Sequence, residues 1–275
     1  MKCRKFRNFM MMIITSIFSS SLFCETDGLL NRILDAKLHV LVFENPSDSV
    51  NYLNDFRKTL EADGSLVYDD SELMLTADNL LAQEQMLRLS EAKTPADELK
   101  SFILNQYEKN ENFEKNHEGQ LLSCDYAVSA WEIKNSAMGF LSMSEMIKLA
   151  MKQKSDYEVL LAENPQHARG LMNSAFWYYF APGIAGGSKT IAKNNFQNAI
   201  KYASCDYEMF YSRLYYSQIL FKDGKKADAA KLLEECEQIL SGTAYIAFVR
   251  KMNENGWSIF DYVNNKDKID KKLGI

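Results

Sequence analysis

Residues 187–236 read GSKTIAKNNFQNAIKYASCDYEMFYSRLYYSQILFKDGKKADAAKLLEEC, and this stretch decides the fold. Gly187, Ala192, Phe196 and Ala199 recur 37 residues later as Gly224, Ala229, Leu233 and Cys236. Small side chains three or four positions apart let two helices approach closely, and the large residue between them fills the groove. The glycine five residues ahead marks the turn into that helix. A partner helix precedes each copy. Ala168, Leu171, Met172, Ala175 and Tyr179 form one stripe after Pro165, and Tyr207, Phe210, Tyr211, Leu214 and Phe221 form another before Gly224. Such a pair cannot bury its own apolar face, so it must stack on neighbours.

The pattern is that of the tetratricopeptide unit. A weaker third copy ends at Asn164-Pro165, with Tyr157 and Leu160 at its large and small positions. The expectation is an all-α protein: a tetratricopeptide-like α-solenoid of antiparallel helix pairs over residues 118–242, with extra N-terminal helices that could close it up. Composition agrees. Four prolines and twelve glycines in 275 residues are too few for the turns of a sandwich or barrel. Leu29, Leu30, Ile33, Leu34, Leu38 and Leu41 make a first stripe, stopped by Asn45-Pro46, with Ser47 or Asp48 to cap the next helix. Thr94-Pro95 suggests another start, with Thr94 as cap, and the polar run Lys109 to Glu118 reads as a solvated loop or a frayed helix end. Residues 25–275 are expected to form one helical domain.

Residues 1–24 read as an export signal. Lys2, Arg4, Lys5 and Arg7 precede an apolar run from Met10 to Phe18, then Ser19 to Ser21. Cys24 is a lipidation candidate, although Phe23 and Ser21 stand where an acylation signal has a small and an aliphatic residue. Cleavage near Ser21 or Cys24, acylation of Cys24 and retention as an uncleaved anchor all stay open. Loss of those four cations takes the formal charge from −5 to −9, a surface that repels nucleic acid and anionic lipid. Any membrane association would run through a lipid anchor.

Cys124, Cys205 and Cys236 show no CxxC spacing, and neither a disulfide framework nor a metal site is indicated. A bridge between Cys205 and Cys236 and a pair of buried free thiols both remain open. His39, His117 and His167 are isolated, so no catalytic constellation, metal or cofactor is expected. Residues 183–190 nearly spell a phosphate loop, with Ser188 in place of its second glycine. The helical run before them is the wrong approach to such a loop, so a turn capped by Ser188 is expected. The run Phe176-Trp177-Tyr178-Tyr179-Phe180 covers every side of a helix. Phe176, Tyr179 and Phe180 are expected in helix packing, and Trp177 and Tyr178, on another face, in contacts with a partner or ligand. Tyr211, Tyr215 and Tyr216 raise the same question one pair later.

Residues 164–171, NPQHARGL, followed by residues 177–188, WYYFAPGIAGGS, resemble the T-component proteins associated with tripartite ATP-independent periplasmic (TRAP) transporters. The resemblance extends over about residues 70–255, including Ala130-Trp131. It implies a proline-glycine loop between the helices of one repeat, which adds Pro182, Gly183, Gly186 and Gly187 to the binding candidates. It also implies a periplasmic or lipid-anchored accessory protein that contacts a TRAP solute-binding protein as a homotrimer and helps present a hydrophobic or organic-acid-like ligand. The alternative is a general scaffold or assembly factor of the cell envelope.

Overall fold

The computed structural model describes residues 28–67 and 69–274. Residues 1–24, read above as an export signal, and with them Cys24, lie outside these. The protein is all-α, with no strand among the described residues. Helix α1 (residues 28–39) passes through a 3₁₀ turn, Val40–Val42, into α2 (Pro46–Ala62), α3 (Glu72–Glu91), α4 (Ala96–Asn116), α5 (Cys124–Ala137) and α6 (Met143–Glu163). The more regular half follows: α7 (Ala168–Phe180), α8 (Lys189–Tyr202), α9 (Asp206–Lys222), α10 (Lys226–Ile239), α11 (Ala244–Glu254) and α12 (Ile259–Leu273). No described helix is long and apolar enough to cross a membrane.

The repeat positions do what their sizes suggest. Ala192, Phe196 and Ala199 of α8 and Ala229, Leu233 and Cys236 of α10 are all buried, and the pairs α7/α8 and α9/α10 are the most closely packed in the molecule. Gly224 takes the left-handed backbone that a turn between α9 and α10 demands. The third copy is looser: α6 buries only Leu149, Gln153 and Tyr157, the last against Trp131 of α5.

Several helix starts differ from expectation. Asn45, not Ser47 or Asp48, caps α2: its Oδ1 accepts from the Ser47 N–H at 3.0 Å, and Pro46, which has no N–H to satisfy, takes the first helical position. Thr94 does not cap α4. Its N–H instead donates to the Leu89 carbonyl at 3.0 Å and closes the end of α3, leaving Pro95 at the cap of α4. The run Lys109 to Glu118 is a helix end and not a loop: α4 continues to Asn116, with Lys109, Glu111, Asn112, Lys115 and Asn116 exposed. One face turns inward: buried Asn110 exchanges hydrogen bonds with Asn79 of α3, Gln106 one turn earlier donates to the same residue, and Phe113 packs on Tyr126. A buried amide pair so satisfied holds a helix as firmly as an apolar contact would.

The N-terminal helices complete the core of the C-terminal repeats. Leu38 and Leu41 belong to the same buried cluster as Leu171, Phe196, Phe210 and Ile246. The Thr243 hydroxyl at the start of α11 donates to the Leu41 carbonyl at 2.9 Å. With α3 packed against α2, α4 and α5, and α5 against α7, the two ends of the helical array meet.

Candidate functional site

Where the ends meet, the helices leave a cavity of about 960 Å³ between the Val40–Ser49 segment, the end of α3, and α7, α9, α11 and α12. Its walls are largely aromatic. Phe176 of α7 stands edge-on to Tyr215 of α9 at 4.5 Å and to Phe260 of α12 at 6.1 Å, and Phe248 of α11 meets Tyr262 of α12 at 5.3 Å. These rings come together because α12 begins with a capping box, Ser258 with Asp261, that aims Ile259 and Phe260 back onto α7.

One wall is charged. Arg88 of α3 donates from Nε to Glu84 at 2.9 Å and from Nη1 to Glu91 at 2.7 Å. Burial pushes the Glu91 carboxyl up, and Glu84 adds to this against the pull of Arg88. Tyr215 and Tyr245 are pushed up by burial, Tyr245 to about 12, so both phenols are neutral near pH 7 and can donate.

Beyond Tyr215 the interior stays polar. Tyr207, Tyr211 and Tyr215 follow one another along α9, their rings tilted to each other with centroids 4.7 and 5.5 Å apart. Lys37 of α1 lies 5.4 Å over the Tyr207 ring and donates to Gln83 at 2.7 Å; burial pushes its pKa down. Arg169, at the start of α7, is 1% exposed. Its Nη1 donates to Asp125 at 3.2 Å, and its Nη2 stands 3.7 Å from Glu132. Glu132 accepts from Asn173 at 3.1 Å and lies 3.8 Å from Lys37. His167 caps α7 through Nδ1, which accepts from the Gly170 N–H at 3.0 Å, while Nε2 sits 3.2 Å from Asp125. Among the described residues no group of three or more metal-binding side chains occurs, and Cys124, Cys205 and Cys236 are free thiols.

The sequence candidates divide between two sides of the molecule. Tyr215 lines the cavity, and Tyr211 is buried directly behind it. Trp177 and Tyr178 turn away from the cavity and onto α6: the Trp177 indole donates to the Ala150 carbonyl at 2.9 Å, and the Tyr178 hydroxyl to Glu158 at 2.9 Å. Phe176, Tyr179 and Phe180 pack between helices as expected, Phe176 on Phe196 of α8 and all three on Phe260 of α12, and Phe176 and Phe180 line the cavity as well because α12 brings a further helix across the end of α7.

The Pro182–Gly187 loop is a 3₁₀ turn, Gly183–Ala185, followed by Gly186 at φ 95°. Gly187 is needed for space, since a Cβ there would lie 1.9 Å from the Ala181 carbonyl oxygen. Ser188 then caps α8 as expected, so the near phosphate-loop spelling is a helix–turn–helix. The loop carries Ile184 fully exposed, beside α6, where Met143, Ile147 and Met151 at four-residue spacing, and Val159 beyond Ser155, are exposed along one side.

Arg88, Tyr245, Phe248, Phe260 and Tyr262 were not legible as site residues. They lie outside the repeats, and only the closure of the array brings them to one place. No protein-family model matches the chain and no curated protein matches it, so its function is read from the fold and this cavity.

Proposed function

We propose that the protein is a non-catalytic binding module that takes a small organic or hydrophobic ligand in the cavity between α7, α9, α11 and α12. The observation that carries this is the cavity itself: about 960 Å³, walled by aromatic rings, with hydroxyl and guanidinium groups on one side. Its volume and mixture of apolar wall and few polar groups are those of small-molecule sites. The resemblance to TRAP T-components supplies the setting: a periplasmic accessory protein, lipid-anchored if Cys24 is acylated, that works as a homotrimer and contacts the transporter's solute-binding protein. The exposed apolar side chains of α6 and the Pro182–Gly187 loop offer that partner an apolar surface.

Titration calorimetry of the purified protein with decan-1-ol tests the cavity. One-to-one binding that is weakened when Phe260→Trp narrows the cavity is the expected result, and heat no different from buffer would sink the proposal. Purification from solubilised envelope tests the setting. A co-purifying solute-binding protein is expected; recovery of envelope-assembly proteins without one would favour the scaffold reading.

A further inference from the structure

Tyr207, Tyr211 and Tyr215 stand four residues apart, so their rings climb one face of α9 over about 12 Å. None of the three hydroxyls has a hydrogen-bond partner among the described residues. The upper ring is in the cavity wall. The lower one reaches the buried charges, where Arg169 Nε and Nη2 and Glu132 Oε2 are also left without hydrogen-bond partners.

A buried donor or acceptor left unpaired carries its full desolvation penalty. Complementary groups therefore belong there, an acceptor for Arg169 and a donor for Glu132. Fixed charges of both signs surround them, Lys37, Arg169 and Arg88 against Glu132, Asp125, Glu84 and Glu208. A ligand head bearing both signs finds a partner for each unpaired group, whereas one of a single sign leaves the other unpaired inside the protein.

We propose that the cavity's ligand is a zwitterionic amphipath: an apolar tail lies among Phe176, Phe248 and Phe260, and an ammonium-carboxylate head sits at the foot of the tyrosine ladder, the carboxylate on Arg169 and the ammonium on Glu132. This rests on the reading that the cavity takes a small ligand. A head group at Tyr207 and a tail beyond Tyr215 place the two ends of such a molecule about 12 Å or more apart, a span that a ten-carbon chain with a polar head approaches.

The test compares four probes of one tail length by titration calorimetry on the whole protein: decan-1-ol, decanoic acid, decylamine and 2-aminodecanoic acid. The amino acid is expected to bind at least about tenfold more tightly than any of the others. Glu132→Gln should erase that preference, bringing 2-aminodecanoic acid to the affinity that decan-1-ol has for the same variant. Tyr207→Phe, which removes one unpartnered hydroxyl and no charge, should weaken 2-aminodecanoic acid alone by about three- to tenfold. Equal affinity for all four probes would overturn the proposal, since water alone would then fill the inner end. So would a preference that survives both substitutions. Failure of every probe, decan-1-ol included, would instead bring down the ligand-binding reading on which the proposal stands.

Discussion

Gly187→Ala should destabilise the protein through one steric contact. The added Cβ would lie 1.9 Å from the Ala181 carbonyl oxygen and 3.1 Å from that of Pro182. Both are backbone atoms, so no rotamer change relieves the clash; the loop must open by about 1 Å, which is an overpacking strain. Opening stretches the Gly187 N–H bond to Pro182 at 3.0 Å and the Ser188 N–H bond to Tyr178 at 2.9 Å, and it tilts the Ser188 cap of α8. At about 1 kcal/mol for each bond and for the cap, the loss is about 2–4 kcal/mol. With a urea slope of about 3 kcal/mol/M, the unfolding midpoint should fall by about 1 M with the slope unchanged. Circular dichroism at 222 nm reads it. Two neighbours calibrate the result. Gly183→Ala meets open space at ordinary φ and should stay within about 0.5 kcal/mol of the parent. Gly186→Ala strains only a left-handed φ beside the flexible Lys154 side chain and should cost about 1 kcal/mol. If Gly187→Ala and Gly183→Ala unfold together, the close approach does not hold the loop and the reasoning fails.

Phe260→Ala removes a buried ring that touches Tyr179 at 4.6 Å and Phe176 at 6.1 Å, so it should lower stability by about 3–5 kcal/mol in the same urea assay. Acid should weaken the protein partly through Asp78. Burial works to raise its pKa, but Arg57 at 2.6 Å and Lys109 at 3.0 Å outweigh this and hold the carboxyl below its ordinary range. A folded pKa below the unfolded one means that the stabilisation is present above the ordinary carboxylate value and is lost as pH falls through the folded value. Midpoints between about pH 6 and about pH 3 should therefore fall more steeply in the parent than in Asp78→Asn; parallel curves would discount the pair. Burial pushes the Cys124 and Cys236 thiols up to about 12 and Cys205 to about 11. At about pH 8 all three should react with a thiol reagent far more slowly in the folded protein than in urea, and fast labelling of Cys236 would contradict its burial.

The repeat half was legible because its information is local. Ala192, Phe196 and Ala199 announce a close helix contact by size and spacing alone, and Ser188 announces its cap. The start of α4 was misplaced because Thr94 serves the helix behind it, a choice that only the Leu89 carbonyl decides. Lys109 to Glu118 is solvated on most of its side chains, and its one buried amide, Asn110, is of a residue type that loops also favour; without Asn79 opposite, nothing marks it as interior. The cavity was half legible. Tyr215 signalled itself as an aromatic with a polar tip, but Arg88 and Phe260 are 172 residues apart and meet only through the closure of the array.

That closure, sealed by the bond from Thr243 to Leu41, has a consequence for how the chain can vary. An open solenoid gains or loses a repeat with little effect beyond the adjoining units, since each touches only its neighbours. Here 202 residues separate the partners of one hydrogen bond, and the first helix and the 3₁₀ turn that follows it supply Leu38 and Leu41 to the core of the last ones. Deleting one helix pair would pull the ring open and expose the cavity wall as well as shorten the array. At equilibrium the molecule should consequently behave as an indivisible unit despite its modular parts.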